Sequence, residues 1–288
     1  MSSCALPEEL WSTNVCRSRQ LDRRKDAGRP TGSDAVGAFY VAEFRIRNML
    51  KWVSAIIAFG LGNPVLYLLS IGIGIGSMIK NPIDGVPYLT FLAPALLATA
   101  AIQGAMDEVT FPTIEGFVWT RVFYSMNNTA ISSRQIVDGV MIAAMTRCLL
   151  QVLLYELILV LFGAIPLASI ATLTVASLLA GWGFAAVMLS VTVFIKDDDG
   201  FFAIVGRFIL APMFMFSGTY FPLTSLPIWL QWIGWISPVW HSTDLGRALS
   251  YGHQVEPWLL IVHVLYLGAL GVVGMLTAYP QFRKRLAE

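Results

Sequence analysis

The sequence predicts an all-α integral membrane protein with six transmembrane helices, an amino-terminal amphipathic interface helix and a re-entrant outer segment before the last helix. The first reason is composition: 56% of the 288 residues are hydrophobic, 13% are charged and the mean hydropathy is +0.67. About a quarter of the residues in a soluble domain are charged. The second reason is the length of the uncharged runs, because a helix needs about 20 apolar residues to cross a bilayer. Five runs contain no Asp, Glu, Lys or Arg: 52–79, 85–106, 157–195, 208–243 and 257–282.

Residues 1–36 are predicted to form a disordered basic cytoplasmic tail. Nine of the nineteen Lys and Arg residues lie in the first 51 positions, which raises the possibility of a nucleic-acid-binding arm. Asp22 and Asp26 interrupt the basic run and a membrane domain follows it, so a solvated tail is favoured and no nucleic-acid partner is expected. The tail lacks the continuous apolar core of a signal peptide.

The membrane domain is predicted to cover residues 37–285. It begins with a mixed apolar and basic stretch up to residue 51, which is typical of a helix lying on the inner membrane surface. Six spans follow, at about 52–78, 88–108, 140–162, 169–195, 201–221 and 257–279.

Two connections in this domain are informative. In the loop 109–139, Ser132 or Ser133 is expected to cap a helix on which Arg134, Gln135 and Asp138 are exposed. The segment 222–256 is divided by prolines and is predicted to be re-entrant, with both ends on the outer side. Its tryptophans Trp229, Trp232 and Trp235 recur at helical spacing, and we favour anchoring at the headgroup level over a carbohydrate-stacking platform.

The distribution of basic residues predicts the orientation. The tail, the 109–139 loop, Lys196 and the basic residues at 283–285 fall on one side, against Lys80 and Arg247 on the other. Because basic residues are enriched in cytoplasmic loops, both termini are expected to be cytoplasmic.

Motifs for chemistry are sparse. The sequence contains no GxxxxGK[ST], HExxH or GxSxG motif, so neither ATP hydrolysis nor a catalytic residue is expected on this chain. The spacing of Cys4, Cys16 and Cys148 supports neither a disulfide framework nor a zinc site. Asp197, Asp198 and Asp199 begin a stretch that resembles the start of the CDP-alcohol phosphotransferase motif. Ile204 stands where that motif has arginine and its later aspartates are missing, so a short solvated cytoplasmic turn is favoured. A membrane-embedded transferase that uses the three aspartates is kept as an alternative.

Polar residues inside the predicted spans are candidates for a transport path, because charges in hydrocarbon usually face protein or water. These residues are Arg147, Gln151, Glu156 and Arg207. Structural pairing or lining of a substrate path is favoured, while a gradient-driven carrier that uses Arg147 and Glu156 remains a second alternative. His263 is expected to be a packed, hydrogen-bonded histidine.

The stretch FSGTYFPLTSLPIWLQWIGWISPVWHSTDLGRAL (216–249) resembles the signature of the membrane subunit, or permease, of type-2 ABC exporters. Its matching residues are Ser217, Gly218, Pro222, Pro238, His241 and Arg247. LAPALLATAAIQGAMDEVTFPTIEGF and ISSRQIVDG are more narrowly similar to nodulation-factor, lipooligosaccharide and drug-exporter permeases. The resemblance covers residues 37–285.

This resemblance implies a transporter built from two permeases, identical or different, and two cytoplasmic ATPase subunits that carry the ATP and Mg²⁺. It implies outward movement of a lipid-linked oligosaccharide, lipooligosaccharide or hydrophobic drug across the bacterial cytoplasmic (inner) membrane, with lipids around the permease. The helices near 37–50 and 131–139 would dock the ATPase. Candidate contacts are Glu43, Arg45, Glu115, Arg134, Gln135 and Asp138.

Overall fold

The computed structural model describes residues 34–75, 78, 82–195 and 200–288. All but the last three residues of the predicted basic tail, and the Asp197–Asp199 cluster, lie outside the described residues. The described chain is helical, and its one β feature is an isolated bridge between Ile83 and Val86.

Ten helices are described. They are α1 (Asp34–Leu50), α2 (Val53–Tyr67, continued as a π-helix over Leu68–Ile75), α3 (Tyr88–Val109), α4 (Val122–Asn127), α5 (Ser133–Leu161), α6 (Ile170–Phe194), α7 (Phe201–Phe216), α8 (Ile228–Ile236), α9 (Pro238–Tyr251) and α10 (Pro257–Ala287). After Thr110, α3 continues as a short helix (Phe111–Ile114) and a π-helical turn (Glu115–Trp119).

The helix lengths confirm an all-α membrane protein. Helices α2, α3, α5, α6 and α10 are long and apolar enough to cross a bilayer. The fifth predicted span corresponds to α7, which is shorter, ends at Phe216 and has a π-helical stretch at Gly206–Leu210. Large apolar side chains on the outside of these helices are exposed in the isolated chain, as expected for surfaces that face lipid.

Helix α5 begins at Ser133, before the start of the third span predicted at about 140. The predicted loop helix at 131–139 and the third span are therefore one helix. Ser132 caps it, because its Oγ accepts from the backbone N–H of Gln135 at 3.3 Å. The Gln135 side chain accepts from the Ser132 backbone N–H at 2.8 Å, which completes a capping box. The prediction that Gln135 is exposed is therefore wrong: its side chain is buried in this cap and against Gly37 of α1.

Helix α1 packs along the first turns of α5. Its buried face contains Ala38, Val41, Ala42, Arg45 and Met49, while Phe39 and Tyr40 point outward. Gly139 allows the close approach, since a Cβ there would lie 2.5 Å from the Val41 Cβ. The interface helix thus presents one face to the protein, and that face includes the basic residue Arg45.

Hydrogen bonds between helices mark the two ends of the bundle. We call the end that contains the last turns of α10 the terminal end. There Arg285 donates to the Val193 carbonyl at 2.6 Å, and Tyr279 donates to Asp138 at 2.5 Å. At the opposite end, Ser169 before α6 donates to the Ser250 carbonyl at 3.1 Å. The start of α5, on which α1 packs, and the ends of α6 and α10 therefore lie at the terminal end, whereas the segment 222–256 lies at the opposite end.

The segment 222–256 contains α8 and α9, of 9 and 14 residues. At about 1.5 Å per residue neither helix reaches the ~30 Å of the hydrocarbon layer. Helix α8 is largely exposed, whereas α9 is buried among α3, α6 and α10.

Candidate functional site

A cavity of about 740 Å³ lies between α1, α2, α3 and α5, and Phe214 of α7 also lines it. On α3 the lining extends from Leu96 to Glu108. At about 1.5 Å per residue these twelve steps correspond to roughly 18 Å of depth. The cavity is therefore long enough to accommodate a sizeable headgroup.

Four charged residues form a network at one mouth of the cavity, which we call the mouth network: Arg45, Asp107, Glu108 and Arg147. Arg45 contacts the Glu108 carboxylate at 2.8 Å and also donates to the backbone carbonyls of Glu108 (2.8 Å) and Pro112 (2.6 Å). Arg147 contacts Asp107 at 3.1 Å and Glu108 at 3.9 Å. Two cations thus face two carboxylates.

Burial makes this network sensitive to the loss of any partner. The side chains of Arg45 and Glu108 are 6% and 4% exposed. Burial lowers the pKa of Arg45, and the neighbouring Glu108 carboxylate opposes that shift. A charge in such a place is tolerated only while it is paired and hydrogen-bonded. The pairing joins α1 directly to the end of α3.

Deeper in the cavity the lining is uncharged, polar and aromatic. It contains Asn63, Tyr67, Thr99, Gln151 and Tyr155. Gln151 of α5 lies where α2 and α3 approach closely. A Cβ atom added at Gly60 of α2 would lie 3.3 Å from the Gln151 Oε1, and one added at Gly104 of α3 would lie 3.1 Å from the Gln151 Cβ. Amide and hydroxyl groups here offer hydrogen bonds to a polar solute without introducing charge.

The other polar residues expected in the spans do not line this cavity. Glu156 is buried and accepts from the Thr174 hydroxyl at 2.9 Å. Nine residues separate it from Arg147, or roughly 13 Å along α5. Arg207 is exposed on α7. The structure thus gives Arg147 and Glu156 separate partners, which does not favour a relay between them.

The signature residues converge at the opposite end of the bundle. Arg247 of α9 is buried, with its guanidinium 3.7 Å from the centre of the Phe91 ring. It donates to the carbonyls of Gly218 (2.8 Å) and Phe91 (3.3 Å), so it ties α9 to α3 and to the chain after α7. Gly218 has φ +72°, a left-handed conformation that suits glycine.

The remaining signature residues shape the turns around this point. Ser217 is buried and donates to the Met213 carbonyl, and Pro222 precedes a short 3₁₀ turn. Pro238 occupies the first turn of α9, where its missing N–H is not needed. The signature residues therefore stabilise the turns of 216–249 and, through Arg247, join this stretch to Phe91 of α3.

His241 lies in a buried cluster that the sequence did not predict. Its Nδ1 is 2.7 Å from the Nδ1 of His263, and its Nε2 is 3.0 Å from the Trp235 carbonyl. His263 in turn contacts Asp244 at 3.0 Å. The expectation of a packed, hydrogen-bonded His263 is confirmed, but its partners come from another helix. Only the signature offered a hint of this cluster, because it contained His241.

The three tryptophans of α8 are all exposed: Trp229 by 68%, Trp232 by 54% and Trp235 by 49%. They therefore share an outward side, as their spacing predicted. An outward apolar side agrees with a position at the headgroup level.

The docking candidates divide into internal and external residues. Arg45 and Gln135 are buried against partners within the chain, Arg45 in the mouth network and Gln135 in the cap of α5. Glu43 pairs with Arg47 at the surface, Glu115 is exposed, and Arg134 lies over the Tyr279 ring at 5.2 Å. Asp138 is half-buried against Tyr279.

Metal chemistry finds no support in the residues that the structure describes. Among them, no group of three or more His, Cys, Asp or Glu side chains is arranged to hold a metal ion.

Comparison with known proteins adds the family. A family described as ABC-2 type transporter matches residues 39–251. Nodulation protein J of Rhizobium leguminosarum bv. viciae is 31% identical over 264 residues, which cover 88% of this chain and 96% of that protein. Nodulation protein J of Rhizobium meliloti (strain 1021) is 29% identical over 259 residues, with 88% and 95% coverage. That of Neorhizobium galegae is 29% identical, with 86% and 94% coverage.

Proposed function

The chain belongs to the ABC-2 type transporter membrane family, and on this premise we propose that it exports an amphiphilic substrate, foremost a lipooligosaccharide. It is the multi-pass permease of an ABC transporter whose ATPase is a separate subunit. The observation that carries the proposal is the cavity, which joins a charged mouth to an uncharged polar interior beside the docking helices.

The cavity lining supports the substrate class. Asn63 and Gln151 supply amides and Tyr67 supplies an aromatic face, the groups that bind hydroxyl-rich rings. Phe59 and Ile56 of α2 add apolar surface, and α2 exposes further apolar side chains. An acyl chain fits against this helix while the sugar portion lies in the polar interior. A hydrophobic drug would use the apolar surface alone.

The docking helices support the mechanism. Because α1 packs on the start of α5, the two elements form one unit, and an ATPase that pushes either of them moves both. Arg45 connects this unit to Glu108 at the cavity mouth. We expect ATP binding to shift the unit and rearrange the mouth network, and ATP hydrolysis to reset it.

The remaining parts of the proposal concern assembly and orientation. Two copies of the permease, or this chain and a related one, would enclose the path together with two ATPases. The terminal end of the bundle would face the cytoplasm of a bacterium and the segment 222–256 the outside. The basic residues at 283–285 and the contact of α10 with the start of α5 through Tyr279 and Asp138 support this orientation.

The test is purification of the tagged chain from its native host, with identification of the bound ATPase by mass spectrometry. Inside-out vesicles that contain the complex should take up a fluorescent N-acylated chitooligosaccharide with ATP but not with ADP. The control is the same complex with the P-loop lysine of the ATPase replaced by alanine. Absence of any ATPase partner would contradict the permease function, whereas ATP-driven uptake of a hydrophobic dye alone would contradict only the substrate class.

A further inference from the structure

The three histidines of the chain are joined by a series of contacts at the opposite end of the bundle. His241 and His263 form the buried part described above. Asp244 follows them, and His253 lies beyond it, 3.8 Å from the second oxygen of Asp244 and 3.2 Å from Asp84. His253 is 29% exposed, so the line extends from a dry interior toward solvent.

Proton counting limits the state of the buried part. There are three contacts in series: Trp235 carbonyl to His241 Nε2, His241 Nδ1 to His263 Nδ1, and His263 Nε2 to Asp244. Each contact needs one proton, and the carbonyl can only accept. Two neutral imidazole rings supply two protons. The group formed by His241, His263 and Asp244 must therefore hold one additional proton.

The surroundings indicate where this proton lies. Burial lowers the pKa of His241 to about 4, so this ring is neutral, donates from Nε2 and accepts at Nδ1. His263 must then donate from Nδ1. Asp244 lies three residues before Arg247, whose guanidinium is buried. A carboxylic acid is in general a stronger acid than an imidazolium ion. An ionised Asp244 leaves the proton on His263.

We propose that His263 is an imidazolium ion paired with the Asp244 carboxylate, and that this ion pair is a positioning latch that holds α9 against α10 in the outer segment. His263 acts through His241 and Asp244 and has no direct role in binding substrate. The latch deepens the proposed export function, because α9 carries the signature and would have to shift for substrate to leave.

The geometry shows what loss of the proton does. When only two protons remain for the three contacts, the two atoms of one contact both present lone pairs. They repel each other, and that contact must open. Helix α6 contacts α9 through the Ser242 hydroxyl and the Ala176 carbonyl, which do not titrate. Tyr266 of α10 stacks on His241 at 4.0 Å. The other titratable or charged groups around the latch are Arg247 and Tyr251 on α9, His253 after it, and Asp84 before α3.

The first experiment counts ring protons by ¹⁵N NMR of the full chain in lipid nanodiscs, with labelled histidine and no histidine tag. Only three rings contribute, and His253→Gln identifies one of them. At pH 7 we expect one ring with both nitrogens protonated, and its loss in Asp244→Asn. If both His241 and His263 have a single protonated nitrogen at pH 7, the proposal is overturned. This result does not depend on ATPase or substrate, so it is separate from any failure of the export function.

The second experiment measures opening of the outer segment in the ATPase complex. A cysteine is placed at the buried Val239 of α9 in a background without other cysteines in the permease, and a membrane-impermeant maleimide is added from outside. A cysteine at the exposed Thr224 normalises the intrinsic reaction rate. We expect His263→Gln to raise labelling at least about tenfold, equivalent to ~1.4 kcal/mol.

Two comparisons complete this experiment. The double variant His263→Gln/Asp244→Asn should restore slow labelling, because the two amides hydrogen-bond without charge. His253→Gln should leave labelling of the cysteine at position 239 as slow as in the protein with all three histidines. Unchanged labelling in His263→Gln, or a double variant that opens as readily as the single variant, would refute the latch.

Discussion

Arg45 and Arg47 lie two residues apart on α1 and have opposite environments. Arg45 is buried in the mouth network, whereas the Arg47 side chain is 75% exposed and pairs with Glu43 one turn away. Composition alone treats both as basic residues of an interface helix. The difference arises because one side of α1 packs against α5 and the end of α3.

This contrast yields a prediction at the residue scale. Arg45→Ala leaves the Glu108 carboxylate without its closest partner, and breaking a buried pair costs about 3–5 kcal/mol. Arg47→Ala removes a surface pair, for which about 0–1 kcal/mol is typical. We expect Arg45→Ala to lower the midpoint of thermal unfolding of the detergent-solubilised permease clearly, and Arg47→Ala to leave it nearly unchanged.

The double variant Arg45→Met/Glu108→Gln serves as a further control for the same prediction. It removes both charges and keeps similar volumes, so it should recover much of the lost stability. Equal stability of the two single variants would show that Arg45 is not buried against Glu108 in the membrane.

At the scale of elements, close helix packing depends on glycines with specific neighbours. Gly274 of α10 faces the backbone of α6, and a Cβ there would lie 2.5 Å from the carbonyl carbon of Ala186 and the nitrogen of Val187. Gly268, six residues earlier on the same helix, has nothing within 4 Å of such an atom. Small residues let membrane helices approach closely, because packing replaces the hydrophobic effect as the main source of association.

The corresponding prediction compares Gly274→Val with Gly268→Val. The first forces α10 away from the α6 backbone, and overpacking of this kind costs about 1–3 kcal/mol or more. The second adds a side chain on an open surface, so it should fold like the wild type. Yield of monodisperse permease by size-exclusion chromatography and its thermal midpoint measure the difference. If both variants behave alike, the α6–α10 interface differs from the one described.

At the scale of the whole molecule, the two ends of the bundle differ in the helices and side chains that they contain. The terminal end gathers α1, the start of α5 and the end of α10, with Glu115 exposed beside them. The opposite end buries α9 and its signature residues and exposes the tryptophans of α8. The mouth network lies where α1 meets the end of α3, so under the proposed function an ATPase bound at the terminal end would act close to the cavity.

The prediction at this scale concerns ATPase docking. Glu115→Lys reverses an exposed charge next to the docking unit and should reduce both co-purification of the ATPase and its ATP hydrolysis. Glu256→Lys reverses an exposed charge at the start of α10, at the opposite end, and should leave both unchanged. Thermal midpoints of the free permease verify that neither variant is unfolded. Stronger loss of ATPase with Glu256→Lys would reverse the proposed orientation.

Much of the element structure was predictable because it depends on local properties. Helix bounds such as 88–108 and 169–195 agree with α3 and α6 within about a residue, since uncharged runs end where charge or proline begins. Ser132 was one of two expected caps. The third span was predicted to begin at 140, because hydropathy does not show that the loop helix and the span form one continuous hydrogen-bonded helix from Ser133 to Leu161.

The candidate site was predictable only in part. Arg147 and Gln151 were expected to be candidates for a transport path, and both line the cavity. The partners of Arg147, Asp107 and Glu108, and the contacts of Arg45 with Glu108 and of His263 with Asp244 were not foreseen. These pairs join residues 19 to 63 positions apart, and a single sequence contains no signal for such contacts.

The sequence by itself determined the class of protein, the number of apolar segments and the family signature, because burial in lipid imposes length and composition on each helix separately. The tertiary structure alone decided which charges are internal, where the cavity lies and that α1 packs on the start of α5. Those properties depend on which helix faces meet. Side chains such as Arg45 and His263 therefore acquire their roles only from partners on other helices.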